Sequence, residues 1–531
     1  MKFRYFLFII SAAAVFFSCK KVNENPQWDI EVLGPLAHAS LGINQLISDT
    51  LLATDVNGAL SIKIDTTYSN FTLDSVYQVP DTFIKTSVIF PAFPSTITPN
   101  TPFLSNNNNV TLGVPNVQLM NANITSGFIK LEFKNTLESK IFFTYKIPKA
   151  KKNGIPFTIT VSVDSASLAS PSYFSDTYDF SGYSLDMTGS SGTLFNTISY
   201  NVEARSDPNG QSFALFGSDT LINLKTSLIQ IVPDYAKGYL GQTTIIDNKN
   251  INLGVGGLIK GGNIKLDSVT MKFDITNYVG ADLQIYLNQV LSVNNRQGNV
   301  IPLSNSNLIR HYININRATE PYFASYSPVP FDYSIILNKG NSNITDLIEN
   351  IPDILNYNIN LKLNPLGNIS GNSDFVYSNK LVDTRIQIDM PLSFSANQLV
   401  FADTINFSIA NATNFDPIGP STIYLLAKNG FPFDLDMMLF LIDKNNVITD
   451  TLLVPGLISS ASVGTNAIVT NPITTKISIP IDAARKSRLL TTERIGIRAK
   501  FNSPNYPQLT QLYSNYRLDI KLIGDGTYYI R

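Results

Sequence analysis

The chain of 531 residues reads as all-β, built from several antiparallel β-sandwich domains in tandem behind a short N-terminal leader. Three observations predict this class. Apolar and polar residues alternate with a period of two over most of the sequence after residue 26, the signature of strands with one buried face. Turn-forming residues punctuate those runs at short intervals. One unit, two alternating strands around an asparagine, recurs three times at a domain-sized spacing. Short, regularly spaced strands of this kind suit immunoglobulin-like sandwiches better than a parallel sheet.

The leader comes first. Lys2 and Arg4 precede residues 6–17, an uncharged apolar run too short to span a bilayer, which is the layout of a signal peptide. The run closes on Ser18 and Cys19, the single cysteine of the protein, and turns polar at once with Lys20, Lys21, Asn23, Glu24 and Asn25. This resembles a bacterial lipoprotein signal, in which the cysteine becomes the mature N-terminus and a small residue precedes the cut. Ser18 matches; Phe16 and Phe17 stand where that family places leucine and a small residue. The resemblance implies residues 1–18 as a lipoprotein signal peptide and Cys19 as the lipidated residue, palmitate included. Removal of Lys2 and Arg4 from the 39 bases leaves 37 against 40 acids, a mildly acidic body. The apolar stretch 423–442 is interrupted by Asp434 and Asp436 and is no spanning helix. Anchoring then falls to outer-membrane lipid through the acyl chains, each buried methylene adding about 0.8 kcal/mol.

In the body, residues 61–64, 128–133, 157–163, 269–275, 381–390 and 516–523 alternate as strands, with turns at Asp55-Val56-Asn57-Gly58, Lys152-Asn153-Gly154 and Ser206-Asp207-Pro208-Asn209-Gly210. Two helices are expected, over 344–355 with Asn343 as cap and over 481–490. The repeat aligns on Asn135, Asn277 and Asn429. Leu131, Phe273 and Leu425 stand four residues before these origins, and Phe133, Ile275 and Ala427 two before. Ile141, Leu283 and Leu435 stand six after; Phe143, Ile285 and Met437 stand eight after; Tyr145, Leu287 and Leu439 stand ten after. The resulting partition is 19–125, an anchor leader and N-terminal β region, then sandwich repeats at 126–262, 263–420 and 421–531. Linkers are expected at 105–109, 254–262 and 411–420. Trp28 is expected to pack on the first repeat.

The third copy, NGFPFDLDMMLFLIDKNNVI from Asn429, is similar to the strand pair of late-embryogenesis-abundant, water-stress β-sandwich domains, with Gly430 where that family has proline. The whole chain resembles large outer-membrane lipoproteins of Bacteroidota, through the cysteine-ended signal, the asparagine- and tyrosine-rich β body and the opening PQWDIEVLGPLAHASLGINQLI from Pro26. That resemblance implies the outer membrane and display at the cell surface. The acidic run that directs such proteins outward is represented only by Glu24, so the periplasmic side stays open.

Composition excludes several classes. A near balance of 40 acids and 39 bases offers no basic excess for nucleic acid, 44% apolar residues argue against disorder, and one cysteine rules out a disulfide scaffold. Only two histidines, His38 and His311, are present to serve as general bases, and both sit in contexts suited to structural roles. Cys19 being taken by lipid, no His/Cys zinc set remains, and no cofactor is expected. Asp55-Val56-Asn57-Gly58, Asp247-Asn248-Lys249-Asn250 and Asp443-Lys444-Asn445-Asn446 offer oxygens that suit calcium or ordinary turns. Asp followed by Ser or Thr and then by an apolar residue or Thr recurs at Thr50, Thr66, Ser75, Ser165, Thr220, Ser268, Thr404 and Thr451. This looks like the Bacteroidota O-glycosylation acceptor, and equally suits strand starts. Tyr322, Phe323, Tyr326, Phe331 and Tyr333 form an aromatic cluster suited to stacking on a sugar or a protein partner, or to core filling. The function expected is non-enzymatic: a lipid-anchored outer-membrane binding or scaffold protein, accessory to a β-barrel protein or binding an envelope glycan. A lipid carrier with an apolar groove and a carbohydrate-active enzyme with a carboxylate pair are the alternatives.

Overall fold

The computed structural model describes residues 28–43, 51–68, 81–88, 95–167, 169–215, 222–252, 259–320, 328–407, 421–464 and 468–530. The described chain is all-β, and every named strand pairing is antiparallel. Three pairs of strands that meet at the repeated asparagines organise it.

Around the first, the Gln118–Asn135 strand pairs with Ile222–Tyr239 and Ser172–Asp179. The Ile141–Lys152 strand that follows pairs with Ile155–Val163 and Thr197–Ser206. Ser184–Asp186 bonds to both halves and joins them into one curved sheet. Phe133 stacks on Phe143 at 4.6 Å across the interior, so the strands on either side of Asn135 face each other through the core.

Around the second, Thr270–Asn277 lies in one sheet with Leu60–Tyr68, Val382–Pro391 and Phe331–Leu337. Leu283–Asn294 lies in another with Ile354–Leu363, Thr243–Asn252 and Tyr312–Ile315. Around the third, Ser421–Asn429 pairs with Arg517–Ile530 and Ile473–Ile481. Asp434–Asp443 lies in the sheet of Thr492–Asn502 and Ser393–Asn406. Each asparagine therefore marks the place where the chain leaves one layer and enters the other.

The crossover has one chemistry in all three copies. Asn135, Asn277 and Asn429 have no solvent exposure. Asn135 Nδ2 donates to the carbonyls of Ser139 and Asp164, and its Oδ1 accepts from Leu137 N–H. Asn277 does the same with Ala281, Asn316 and Val279. Asn429 does so with Phe433, Ser459 and Phe431. A bend between sheets strips backbone groups of ladder partners, and a primary amide supplies two donors and an acceptor to replace them. Serine or aspartate cannot make this set. The flanking apolar positions are core: Leu131, Leu425, Ile141, Phe143 and Leu435 are fully buried, and Phe273 and Leu287 pack against the core from partly buried positions. Burial of side chains of this size contributes about 1.5–3 kcal/mol each.

Several elements differ from the sequence expectation. The run at residues 105–109 is no linker. It lies within the Pro102–Thr111 strand, at the edge of the first sheet and paired only with Thr197–Ser206. Asn107 and Asn201 bond across that pair at 2.8 Å, and a polar edge of this kind discourages pairing with another chain. The divisions at 125/126 and 262/263 fall inside the Gln118–Asn135 and Ile259–Leu266 strands. Sheets also draw on strands far apart in sequence, since Leu60–Tyr68 joins the second unit and Ile259–Leu266 pairs with Ser393–Asn406. The strand that opens with Trp28 pairs with Arg517–Ile530, from Trp28↔Ile530 to Gly42↔Arg517, and so belongs to the third unit and not the first. Of the other two expected linkers, residues 254–258 and 411–420 lie outside the described set, and residues 259–262 open the Ile259–Leu266 strand.

The helix expected over 344–355 stops early, spanning Ile344–Glu349. Ile351 takes a positive φ of 48° before Pro352, which disfavours helical geometry in the residue ahead of it, and the chain becomes the Ile354–Leu363 strand. Asn343 sits at the N-cap position as expected, but its side chain makes no capping bond and instead donates to Pro302 O and accepts from Ser304 N–H. The second helix, Ala483–Leu490, is capped by Asp482, whose carboxylate accepts from Arg485 N–H at 2.8 Å.

Candidate functional site

Cys19, Tyr322, Phe323 and Tyr326 lie outside the described residues. Phe331 and Tyr333 occupy alternate, inward positions of the Phe331–Leu337 strand, half-buried and packed on the core, and do not form an exposed aromatic surface. Strand periodicity decides this, because residues two apart share a face and Ile335 and Leu337 continue the same apolar one. On either side of residues 321–327, Thr319 and Val329 exchange two backbone hydrogen bonds of 2.9 and 3.0 Å, and Glu320 accepts from Tyr235 Oη and Lys237 Nζ. Burial first, and then the bond to Glu320, pushes the Tyr235 hydroxyl far above the usual tyrosine range. Tyr377 packs on Tyr235 with ring centroids 4.9 Å apart.

A buried polar junction lies beside this cluster. Asp374, with no exposure, receives Arg317 at 2.9 Å, Asn364 Nδ2 at 2.7 Å and Leu240 N–H at 3.1 Å. The Asp374–Tyr377 strand at the same time pairs with Ile222–Tyr239. A segment from the second repeat thereby extends the sheet of the first, held by a charge that is fully paired.

An open cleft of about 800 Å³ lies where Ser184–Asp186 bridges the two halves of the first sheet. Ala150 is buried and points inward, so Lys149 and Lys151 on either side of it line the cleft. Asn121, Asn123, Tyr183 and Asp186 line it as well. Asp186 accepts from Thr188 N–H at 2.9 Å and faces Lys149 Nζ at 3.3 Å. Burial alone raises this carboxyl, but the bonds from Thr188 and Lys149 outweigh it and hold the group below the usual carboxylate range. Tyr183 stacks on Phe180 at 4.9 Å, with Lys152 Nζ 5.8 Å from its ring centroid. Two amides, an exposed ammonium and a braced ring can bind hydroxyl groups beside an anionic substituent. The alternation in Lys149-Ala150-Lys151 is the sequence signal that marks it.

Both histidines are exposed. His38 lies on the Trp28–Gly42 strand opposite Lys521, and His311 Nδ1 is 2.9 Å from Ile309 O. The first and third oxygen-rich turns are Asx turns: Asp55 Oδ1 accepts from Asn57 and Ala59 N–H, and Asp443 Oδ1 from Asn445 and Val447 N–H. Asp247-Asn248-Lys249-Asn250 is not a turn at all but the middle of the Thr243–Asn252 strand, because its alternation extends the ladder with Ile354–Leu363. Among the described residues no group of three or more His, Cys, Asp or Glu side chains converges. Of the Asp-Ser/Thr positions, Ser165 and Thr404 are exposed, Thr66, Ser268 and Thr451 are half-exposed, and Thr50, Ser75 and Thr220 lie outside the described residues.

No protein-family model matches the sequence, and no curated protein matches it. Among solved structures, the chain is similar to a protein of Parabacteroides distasonis ATCC 8503 described as secreted, with 15% identity, a TM-score of 0.29, and coverage of 54% of this chain and 82% of that one. It is also similar to a structure described by its triple jelly-roll fold and turret assembly in an archaeal virus, with 11% identity, a TM-score of 0.12 and coverage of 84% and 89%. No helix among the described residues is long and apolar enough to cross a membrane.

Proposed function

We propose that the protein is a lipid-anchored outer-membrane binding or scaffold protein, accessory to a β-barrel protein or complex, and tethered through Cys19. The observation that carries this reading is the placement of the first described strand. Trp28–Gly42 is locked into a sheet along its whole length by Arg517–Ile530. From Cys19 to Trp28 the chain advances nine positions, which reach at most about 30 Å when fully extended. A lipid on Cys19 would therefore hold a rigid sheet close to the leaflet, where it can brace a membrane neighbour. The hydrogen-bonded crossovers and the Asp374 junction suit such a support, since they stiffen the chain within and between its units.

Labelling with a palmitate analogue, followed by purification from detergent-solubilised membranes, tests the proposal. The expected result is a labelled chain lacking residues 1–18, label lost in Cys19→Ala, and a β-barrel protein in stoichiometric amount in the eluate. An unlabelled chain that retains residues 1–18 and is found in the soluble fraction overturns the anchor. A labelled chain purified without a barrel protein overturns the accessory role.

A further inference from the structure

The outward face of the sheet made by Thr243–Asn252, Ile354–Leu363, Leu283–Asn294 and Tyr312–Ile315 carries side chains of one chemical kind. Register sets Ile246, Asn360, Tyr286 and Tyr312 in a single row across four strands. At about 4.8 Å per strand spacing, that row is about 14 Å wide. The neighbouring residues Leu361, Ile359, Ile285 and Ile313 point the opposite way into the core, so the two faces are cleanly separated.

Amides surround the tyrosines. Gln284 Nε2 donates to Asn314 Oδ1 at 2.9 Å, Asn288 Nδ2 to Asn358 Oδ1 at 2.6 Å, and Asn356 Nδ2 to Asn250 Oδ1 at 2.8 Å. Each such pair uses one donor and one acceptor, fixes both amide planes and leaves the remaining N–H and lone pairs for solvent or a ligand. The Tyr286 and Tyr312 rings lie 4.8 Å apart, Lys362 Nζ sits 5.5 Å from the Tyr312 centroid, and Tyr312 is 59% exposed. Within the described part of this face Lys362 is the one charged group.

We propose that this face binds an uncharged polysaccharide laid across the strands, with Tyr312 and Tyr286 as the stacking platform and the ordered amides reading its hydroxyls. Charge and polarity select this occupant. A nucleic acid needs a basic stripe, and a single lysine supplies none. A protein partner's anchors seek a desolvated apolar pocket, whereas this surface is a sheet face rich in amides. Hydroxyl groups both donate and accept, as amides do, and the apolar face of a sugar ring packs on an exposed tyrosine. The proposal rests on the reading of the chain as an envelope binding protein and names one class of ligand for it.

The test is affinity electrophoresis and titration calorimetry of the full detergent-solubilised chain against dextran, galactomannan and xyloglucan, with polygalacturonate as the charged probe. The expected result is binding to at least one uncharged polysaccharide that is insensitive to salt. Tyr312→Ala should weaken it about tenfold, Tyr312→Phe should retain it, and Asn360→Ala, an independent and equally outward substitution, should weaken it several-fold. Absence of binding to all three uncharged probes overturns the proposal. So does unchanged binding in both Tyr312→Ala and Asn360→Ala, or binding to polygalacturonate alone with a steep salt dependence. Palmitate labelling of the same preparation separates the two readings: a labelled chain without polysaccharide binding sinks this inference alone, and an unlabelled chain that binds sinks only the anchor.

Discussion

Asn429→Ala removes the amide that closes the third crossover, and the structure sets the size of the effect. The side chain has no exposure and makes three hydrogen bonds: to Phe433 O at 2.8 Å, to Ser459 O at 2.9 Å and from Phe431 N–H at 2.9 Å. Ser459 is exposed, so water can replace the lost donor there. Phe431 and Phe433 are each 2% exposed, and their N–H and carbonyl are left buried without the amide. At about 1–3 kcal/mol for each unsatisfied group the loss is about 2–6 kcal/mol. Asn429→Asp is a sharper probe. It keeps the acceptor for Phe431 but turns a carboxylate oxygen toward two carbonyls, and burial beside those dipoles raises its folded pKa above the unfolded value near 3.9. The charge penalty is therefore absent below about pH 4, grows as pH rises and is complete above the raised folded value. Hydrogen exchange read by mass spectrometry, peptide by peptide, combined with urea unfolding is the assay, because several sheets need not melt together. Protection should fall at residues 421–443 and persist at 118–152. Asn135→Ala and Asn277→Ala should produce the same loss in their own units. An Asn429→Ala chain within about 1 kcal/mol of the parent, with Phe431 N–H still protected, would refute the clasp.

Other predictions follow from single contacts. Asp374→Ala leaves Arg317 with only Asp282, 3.6 Å away, and strips the Leu240 and Asn364 amide donors of their acceptor, which should cost about 1–3 kcal/mol for each donor left buried, with loss of exchange protection at residues 235–238. Gly238 has φ 144°, and a Cβ there would meet Gln118 O at 2.1 Å, so Gly238→Ala should push apart the Gln118–Asn135 and Ile222–Tyr239 strands and lower the urea midpoint. Asp186, held below the usual carboxylate range, stabilises its loop above the unfolded pKa and loses that contribution as pH falls through the lower folded value. Acid should therefore expose Thr188 N–H to exchange, and Asp186→Asn should abolish that pH response.

Local periodicity was legible because it is local. Alternation assigned the inward faces of strands such as Gln118–Asn135 and Asp434–Asp443 from residue type alone. The three asparagines stood out because the same buried bend imposes the same demand for two donors and an acceptor. The helix expected over 481–490 was legible in its alanines and arginines, but its start at Ala483 is set by Asp482, whose carboxylate accepts from Arg485 N–H and ends the preceding strand. The platform of Asn360, Tyr286 and Tyr312 had a visible trace in Asn356, Asn358 and Asn360, alternating with Leu355, Tyr357 and Ile359, but it takes meaning only when Leu283–Asn294 and Tyr312–Ile315 come alongside.

Partnership between strands is what tertiary structure alone decided. Backbone hydrogen-bond ladders are the same for every side chain, so nothing in Trp28–Gly42 names Arg517–Ile530 as its neighbour, nothing in Asp374–Tyr377 names Ile222–Tyr239, and nothing in the asparagines of Pro102–Thr111 marks that segment as an edge strand. Residue pattern determines which side of each strand turns inward. Which strands share a sheet is chosen by the packing of the whole chain, because the free energy of a buried face depends on every layer that closes over it.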